Sequence, residues 1–231
     1  MRGVADTVVI VGAGPGLGLA VARRFVREGA SVGLVARNQE RLARMVEQLR
    51  ETAPEGASVV AFVADAGDPA QLRSALRSVR ERLGNPTVLV HHLSVPVAGT
   101  PTEMAYEDFS GGLAAGIGAL LVATQELAPA MRAAGQGTIL VTGGGLAFSA
   151  SPAYAGVAVQ KAGVRSLTLS LAQELAPVGV HVATVTVLGI LERGGYYDPD
   201  RIAEVYWDLH TEPPEQWRTE VRYRRPEPSD T

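Results

Sequence analysis

Valine-rich apolar runs alternate with amphipathic stretches along most of the chain. The runs "TVVIVG", "SVGLVAR", "SVVAFVAD", "TVLVHHL", "GTILVTGG" and "GVHVATVTVLG" lack the polar alternation of a half-exposed strand, so each reads as a strand buried on both faces. They lie about 25 to 50 residues apart, and helical periodicity between them predicts helices near 17–28, 39–51, 69–82, 103–133, 155–175 and 199–210. Repeated units of this kind build a parallel sheet covered by helices on both faces. The expected fold is a single α/β domain over 1–225, Rossmann-like and doubly wound with about seven strands, followed by a polar tail at 226–231. At the last helix Asp198 fits the N-cap, Pro199 the first turn, and Ile202, Val205, Tyr206 and Leu209 share one face. Alternation in "TEVRYR" predicts a short closing strand.

Composition narrows the function classes. The 231 residues are 46% hydrophobic with a formal net charge of −3, enough for one substantial core. Scattered arginines and a pI near 5.8 give no basic face for a phosphate backbone, so nucleic acid is not an expected partner. No run of about 18 apolar residues is free of glycine and charge, and "MRGVADTVVIVGAG" turns into a glycine loop before a secretory h-region forms. A cytoplasmic protein without a membrane partner is expected. With no cysteine there are no disulfides or thiolate sites, and His91, His92, His181 and His210 lack metal-ligand spacing, so no metal is expected.

The chemistry starts at "VVIVGAGPGLGLAVARRF", which places Gly12, Gly14, Gly16, Leu17 and Gly18 between a strand and a helix. Glycine there permits a tight turn, lets backbone approach a pyrophosphate and leaves the helix N-terminal N–H groups free to bind it. The second strand ends "VARNQERL", where Arg37 suits a 2′-phosphate and no carboxylate awaits a ribose; the alternative is a solvated arginine, since the loop offers no second basic residue. Asp65 closes the third strand. Tyr154 and Lys161 in "PAYAGVAVQKAG" are two helical turns apart, about 10 Å along the axis, too far to tune one another's proton.

Read as G-x-x-x-G-x-G from Gly12, Gly16 and Gly18, the loop resembles that of the short-chain dehydrogenase/reductase family, and the resemblance spans about residues 6 to 190. It implies NADP(H) rather than NAD(H), with Ser94 beside the cofactor, Asp65 on the adenine amino group or capping a turn, and Lys161 on the nicotinamide ribose. A small-molecule substrate and a homodimer or homotetramer through the helices at 103–133 and 155–175 are implied as well. The resemblance breaks at the catalytic residues. After strand 4 the family's Asn-Asn-Ala-Gly is replaced by His91-His92-Leu93-Ser94; Gly116 stands at the family's Asn, Gly144 at its Ser and Val157 at its Tyr. Of the four residues only Lys161 survives, so the chain resembles an atypical branch with a degenerate tetrad.

Substitutes are few. Tyr154 reaches the cleft only if the preceding loop folds inward. His92 is placed to act as acid or base, or as a structural hydrogen-bonding histidine. Ser94, Thr142, Ser149 and Ser151 supply hydroxyls, while Gly111, Gly112, Gly116 and Gly118 either widen the cleft or bring backbones together. The short crossing "LGILERGGYYDPD" predicts an open mouth flanked by Tyr196 and Tyr197. The leading reading is an oxidoreductase of nonstandard mechanism with Lys161, His92 and Tyr154 as candidate catalytic residues. The alternatives are a cyclase, isomerase or dehydratase on the same scaffold, or a cofactor-binding protein without turnover.

Overall fold

The computed structural model describes residues 6–226, so the tail expected at 226–231 lies outside the described residues from position 227 on. The strands are β1 (Thr7–Val11), β2 (Ser31–Ala36), β3 (Val59–Val63), β4 (Val88–His91), β5 (Gly137–Gly144), β6 (Val180–Val187) and β7 (Glu220–Tyr223). They form one sheet in the order β3-β2-β1-β4-β5-β6-β7 in which every neighbouring pair is parallel. Between them run α1 (Leu17–Arg27), α2 (Gln39–Arg50), α3 (Pro69–Leu83), α4 (Tyr106–Leu113), α5 (Ala119–Ala134), α6 (Ala155–Leu175) and α7 (Pro199–Thr211).

The unbroken apolar strands have a direct packing cause. Successive side chains point to opposite faces, so Val8 and Ile10 join the core under α1, α2 and α7, while Val9 and Val11 join the one under α3, α5 and α6. All four are fully buried. Asp198 caps α7 by accepting from the Asp200 N–H, and Ile202, Tyr206 and Leu209 form its buried face, as the periodicity predicts.

The long helix expected over 103–133 differs in two respects. It begins at Tyr106, because Glu103 and Met104 donate their N–H groups to the Thr100 carbonyl in a preceding turn. It is also interrupted by a π-helical turn, Ala114–Gly118, between α4 and α5. Gly116 and Gly118 weaken the α register there, and the ring Nε2 of His91 lies 3.0 Å from the Gly116 carbonyl. The stretch Tyr106–Ala134 is long and apolar enough to cross a bilayer, yet half of its apolar window is buried within the fold, where α5 packs on α3, β4 and β5. Strand order reverses between β1 and β4, and a crevice opens at their carboxyl ends.

Candidate cofactor site and active-site cleft

The four glycines after β1 divide the work. Gly12 has φ +87°, and a Cβ there would collide with the His92 carbonyl, so only glycine makes this turn. Gly14 and Gly16 face open space, with nothing within 4 Å of an added Cβ. At Gly18 an added Cβ would lie 3.3 Å from the His92 ring and 3.4 Å from Ala13, which is the close packing that seats α1. No side chain caps α1 at Gly16; the Leu19 N–H donates to the Gly14 carbonyl at 2.8 Å, which leaves the N–H groups of Leu17 and Gly18 to face an anion.

A cavity of about 520 Å³ continues from this loop along the ends of β2 and β3, lined by Gly12, Gly14, Arg37, Asn38, Arg41 and Asp65 among others. Arg41 corrects the expectation that Arg37 stands alone. Asn38 caps α2 by accepting from the Arg41 N–H at 2.8 Å, and the first turn so formed brings a second guanidinium to the same cavity. Asp65 divides its carboxylate: Oδ1 accepts from the Gly67 N–H at 2.9 Å, capping a turn, while Oδ2 lies 3.8 Å from the Arg37 guanidinium. Ser94 is exposed and lines neither this cavity nor the cleft beside it.

That cleft, about 460 Å³, is lined by Leu17, His92, Thr142, Gly144, Ser149, Val157 and Lys161, with Val187, Ile190 and Leu191 adding apolar surface. Lys161 donates from Nζ to the Thr142 carbonyl at 3.0 Å, and burial lowers its ammonium to about 8. Val157, one turn earlier on α6, lines the same wall, and a Cβ on Gly144 would sit 3.5 Å from Lys161 Cε. The three positions therefore converge as their spacing predicts, without the phenol and hydroxyl. Tyr154 is 58% exposed and does not line the cleft, because the short 3-10 turn Pro152–Tyr154 runs outward; it is not placed to replace the missing phenol. Ser151 is also outside the lining. Tyr196 and Tyr197 do not flank the mouth either; both pack on Tyr223, and Tyr197 donates to the Leu188 carbonyl. Ile190, 88% exposed, and Leu191 stand there instead.

Of the helix glycines, Gly112 and Gly116 neither widen the cleft nor bring backbones together but make room for the Gln160 side chain, while an added Cβ at Gly111 would meet nothing within 4 Å. Gln160, buried beside Lys161, accepts from the Val95 N–H at 3.0 Å and donates to the Val95 carbonyl at 2.8 Å, holding the loop after β4 as a paired strand would. An added Cβ at Gly112 or Gly116 would lie only 2.8 or 2.6 Å from this amide. The space beside these two glycines is thus filled by a glutamine from another helix. Its burial is invisible in the sequence, where it reads as one polar residue on a helix, whereas Arg41 was legible as the turn after a capping Asn38.

His91 and His92 are both neutral at pH 7. Burial first, and for His92 the Lys161 charge next, lowers each to about 4. Of the roles expected for His92, acid or base or structural hydrogen-bonding histidine, this lowering favours those open to a neutral ring. For His91 the cause is explicit: Nε2 faces the Gly116 carbonyl, while Nδ1 is buried without a partner and a second proton there would be stranded. Because the unfolded chain takes up this proton near 6.5 and the folded chain near 4, stability is full above 6.5 and falls as pH drops toward 4. The loss should approach about 3 kcal/mol for His91. Urea melts of wild type and His91→Leu between pH 7 and 4.5 check this: the variant should show a shallower acid slope, and parallel slopes would contradict it.

A model described as short chain dehydrogenase matches residues 6–192. The chain belongs to the short chain dehydrogenase family. A protein of Streptomyces violaceoruber named as ketoacyl reductase 1 of the granaticin polyketide synthase is 34% identical over 182 residues, 77% of this chain. The match takes in 65% of that relative, a little under two thirds of its length. A 3alpha-hydroxysteroid dehydrogenase of Mediterraneibacter gnavus is 28% identical over 77% of this chain and 70% of its own. Among solved structures, a metagenomic short-chain oxidoreductase in complex with NADP superimposes with a TM-score of 0.85 at 27% identity, over 94% of this chain and 95% of that one.

Proposed function

We propose that this chain is an NADP(H)-dependent oxidoreductase that reduces the carbonyl of a small, largely apolar substrate, with Lys161 as the proton source. The observation that carries the proposal is the position of Lys161 in an apolar cleft that adjoins the glycine loop, its Nζ donating to the Thr142 carbonyl at 3.0 Å; burial there lowers the ammonium to about 8. Arg37, Asn38 and Arg41 fit a 2′-phosphate, the open space over Gly14 and Gly16 fits a pyrophosphate, and Asp65 retains an oxygen for an adenine amino group. When bound, the reduced cofactor supplies hydride to a carbonyl carbon; the chain must supply a proton to the carbonyl oxygen and hold the substrate. An ammonium near neutrality is matched to that transfer, which Val157 cannot perform. Leu17, Leu146, Val187, Ile190 and Leu191 favour an apolar substrate body. The relatives named for ketoacyl and hydroxysteroid chemistry, and the neighbour holding NADP, support the same reading. We propose further that the chain is cytoplasmic and a homodimer or homotetramer through the helices at 103–133 and 155–175, where α5 and α6 carry exposed Leu121 and Val159. A second reading, cofactor binding without turnover, is favoured by Val157 and Gly144 at the positions of the missing acid and hydroxyl.

Cofactor choice is testable by itself. Wild type should bind NADPH about 10- to 100-fold more tightly than NADH, the worth of one or two charge-assisted hydrogen bonds. Arg37→Ala with Arg41→Ala should abolish most of that preference while leaving NADH affinity little changed. Isothermal titration measures all four constants, and an unchanged preference in the double variant would remove these arginines from the phosphate site.

A further inference from the structure

Below the cleft lies a polar chain that the proposed reaction does not use. Tyr206, on α7, is fully buried in a face otherwise made of Ile202, Ala203 and Leu209, and its phenol meets the Thr142 hydroxyl at 2.6 Å. Thr142, on β5, meets Nδ1 of His92 at 2.9 Å through the same hydroxyl and accepts Lys161 Nζ on its carbonyl. No other hydrogen-bond partner of the Tyr206 phenol occurs among the described residues.

Counting donors fixes the direction of this chain. If Thr142 donated to Tyr206, the phenolic proton would be left in the core without an acceptor; if Thr142 accepted from both neighbours, its own proton would be stranded. One arrangement strands neither. Tyr206 donates to Thr142, Thr142 donates to His92 Nδ1, and the ring proton of His92 resides on Nε2. That nitrogen has no protein partner among the described residues and is not sealed from the surface, and His92 lines the cleft together with Lys161.

We infer that Tyr206 is a positioning residue: acting through Thr142, it holds His92 as the Nε2–H tautomer, so that the cleft presents a neutral N–H donor for the substrate's oxygen. The inference rests on the proposed reductase reading for its catalytic meaning. Its geometry is independent of that reading. A donor aimed at the oxygen where negative charge develops replaces in kind the hydroxyl that Gly144 lacks, while Lys161 remains the acid. Accepting at Nδ1 from a hydroxyl that is itself hydrogen-bonded polarises the ring and strengthens the Nε2–H donor.

The test is long-range proton–nitrogen NMR of the histidine rings in the full ¹⁵N-labelled chain at pH 7, with NADPH added, for wild type, Tyr206→Phe, Thr142→Val and Thr142→Ser. The expected result is a singly protonated His92 ring with its proton on Nε2. In Tyr206→Phe the Nδ1 resonance should move, and kcat for reduction should fall about threefold to tenfold, the worth of one hydrogen bond, at unchanged NADPH affinity. Thr142→Val should move both further, and Thr142→Ser should restore them. A proton on Nδ1 or a doubly protonated ring in wild type overturns the inference without any variant. So does Tyr206→Phe with the Nδ1 resonance unmoved. If the Nε2–H pattern is found but no substrate is ever reduced, the tautomer stands and the reductase reading alone fails.

Discussion

Lys161→Met should lower carbonyl reduction about 10²- to 10⁴-fold, the usual effect of removing a general acid. On the proposed reading the loss has two parts, because the ammonium would both hold a ribose hydroxyl and give up a proton. Lys161→Arg separates them. A guanidinium keeps the charge but does not deprotonate near neutrality, so NADPH affinity should stay within a few-fold of wild type while turnover falls nearly as far as in the methionine variant. The pH profile carries the same signature with a definite sign. Burial sets the group at about 8 and the acid form is the protonated one, so kcat/KM for reduction should be flat below 8 and decline above it. Steady-state rates from pH 6.5 to 9.5 measure this, and a rate that rises through 8 would assign the proton to another group.

Val157→Tyr with Gly144→Ser should raise ketone reduction by about 10²-fold or more, since a phenol and an oxygen-directed hydroxyl are each worth that much. The cleft has room for both: Val157 lines its wall, and a Cβ on Gly144 would make ordinary contact, 3.5 to 3.7 Å, with the Lys161 stem. Adding Gly116→Asn should not help. Gln160 occupies that space, with Oε1 2.6 Å from an added Cβ, and the overpacking should cost about 1–3 kcal/mol, visible as a lower Tm. No gain in the double variant with NADPH still bound would mean that Val157 and Gly144 do not face the reacting carbonyl.

The fold was largely legible because its cause is local. Strands apolar on both sides can be buried only between two helical layers, and the glycine loop fixes where the first crossover begins. The convergence of Gly144, Val157 and Lys161 was legible for the same reason, since helical spacing alone puts 157 and 161 on one wall. Tertiary partners were not. Gln160 and Val95 are 65 residues apart, and nothing at either position announces that an amide will fill the space left by two glycines. Tyr206 was placed correctly on the buried face of α7, but periodicity does not say where its one polar atom points. Tyr154 shows the converse error, in which proximity in sequence suggested a role that an outward 3-10 turn denies.

Consumption of bound NADPH is the direct test of the proposed reaction. A single-turnover experiment decides it: the chain is loaded with one equivalent of NADPH carrying deuterium at its transferable position and mixed with a panel of apolar ketones, enones and imines. Stoichiometric deuterium in a reduced product, slow in wild type and about 10²- to 10⁴-fold slower in Lys161→Met, is the predicted result. NADPH that stays tightly bound and unconsumed across the panel, or a product of unchanged oxidation state, would contradict it.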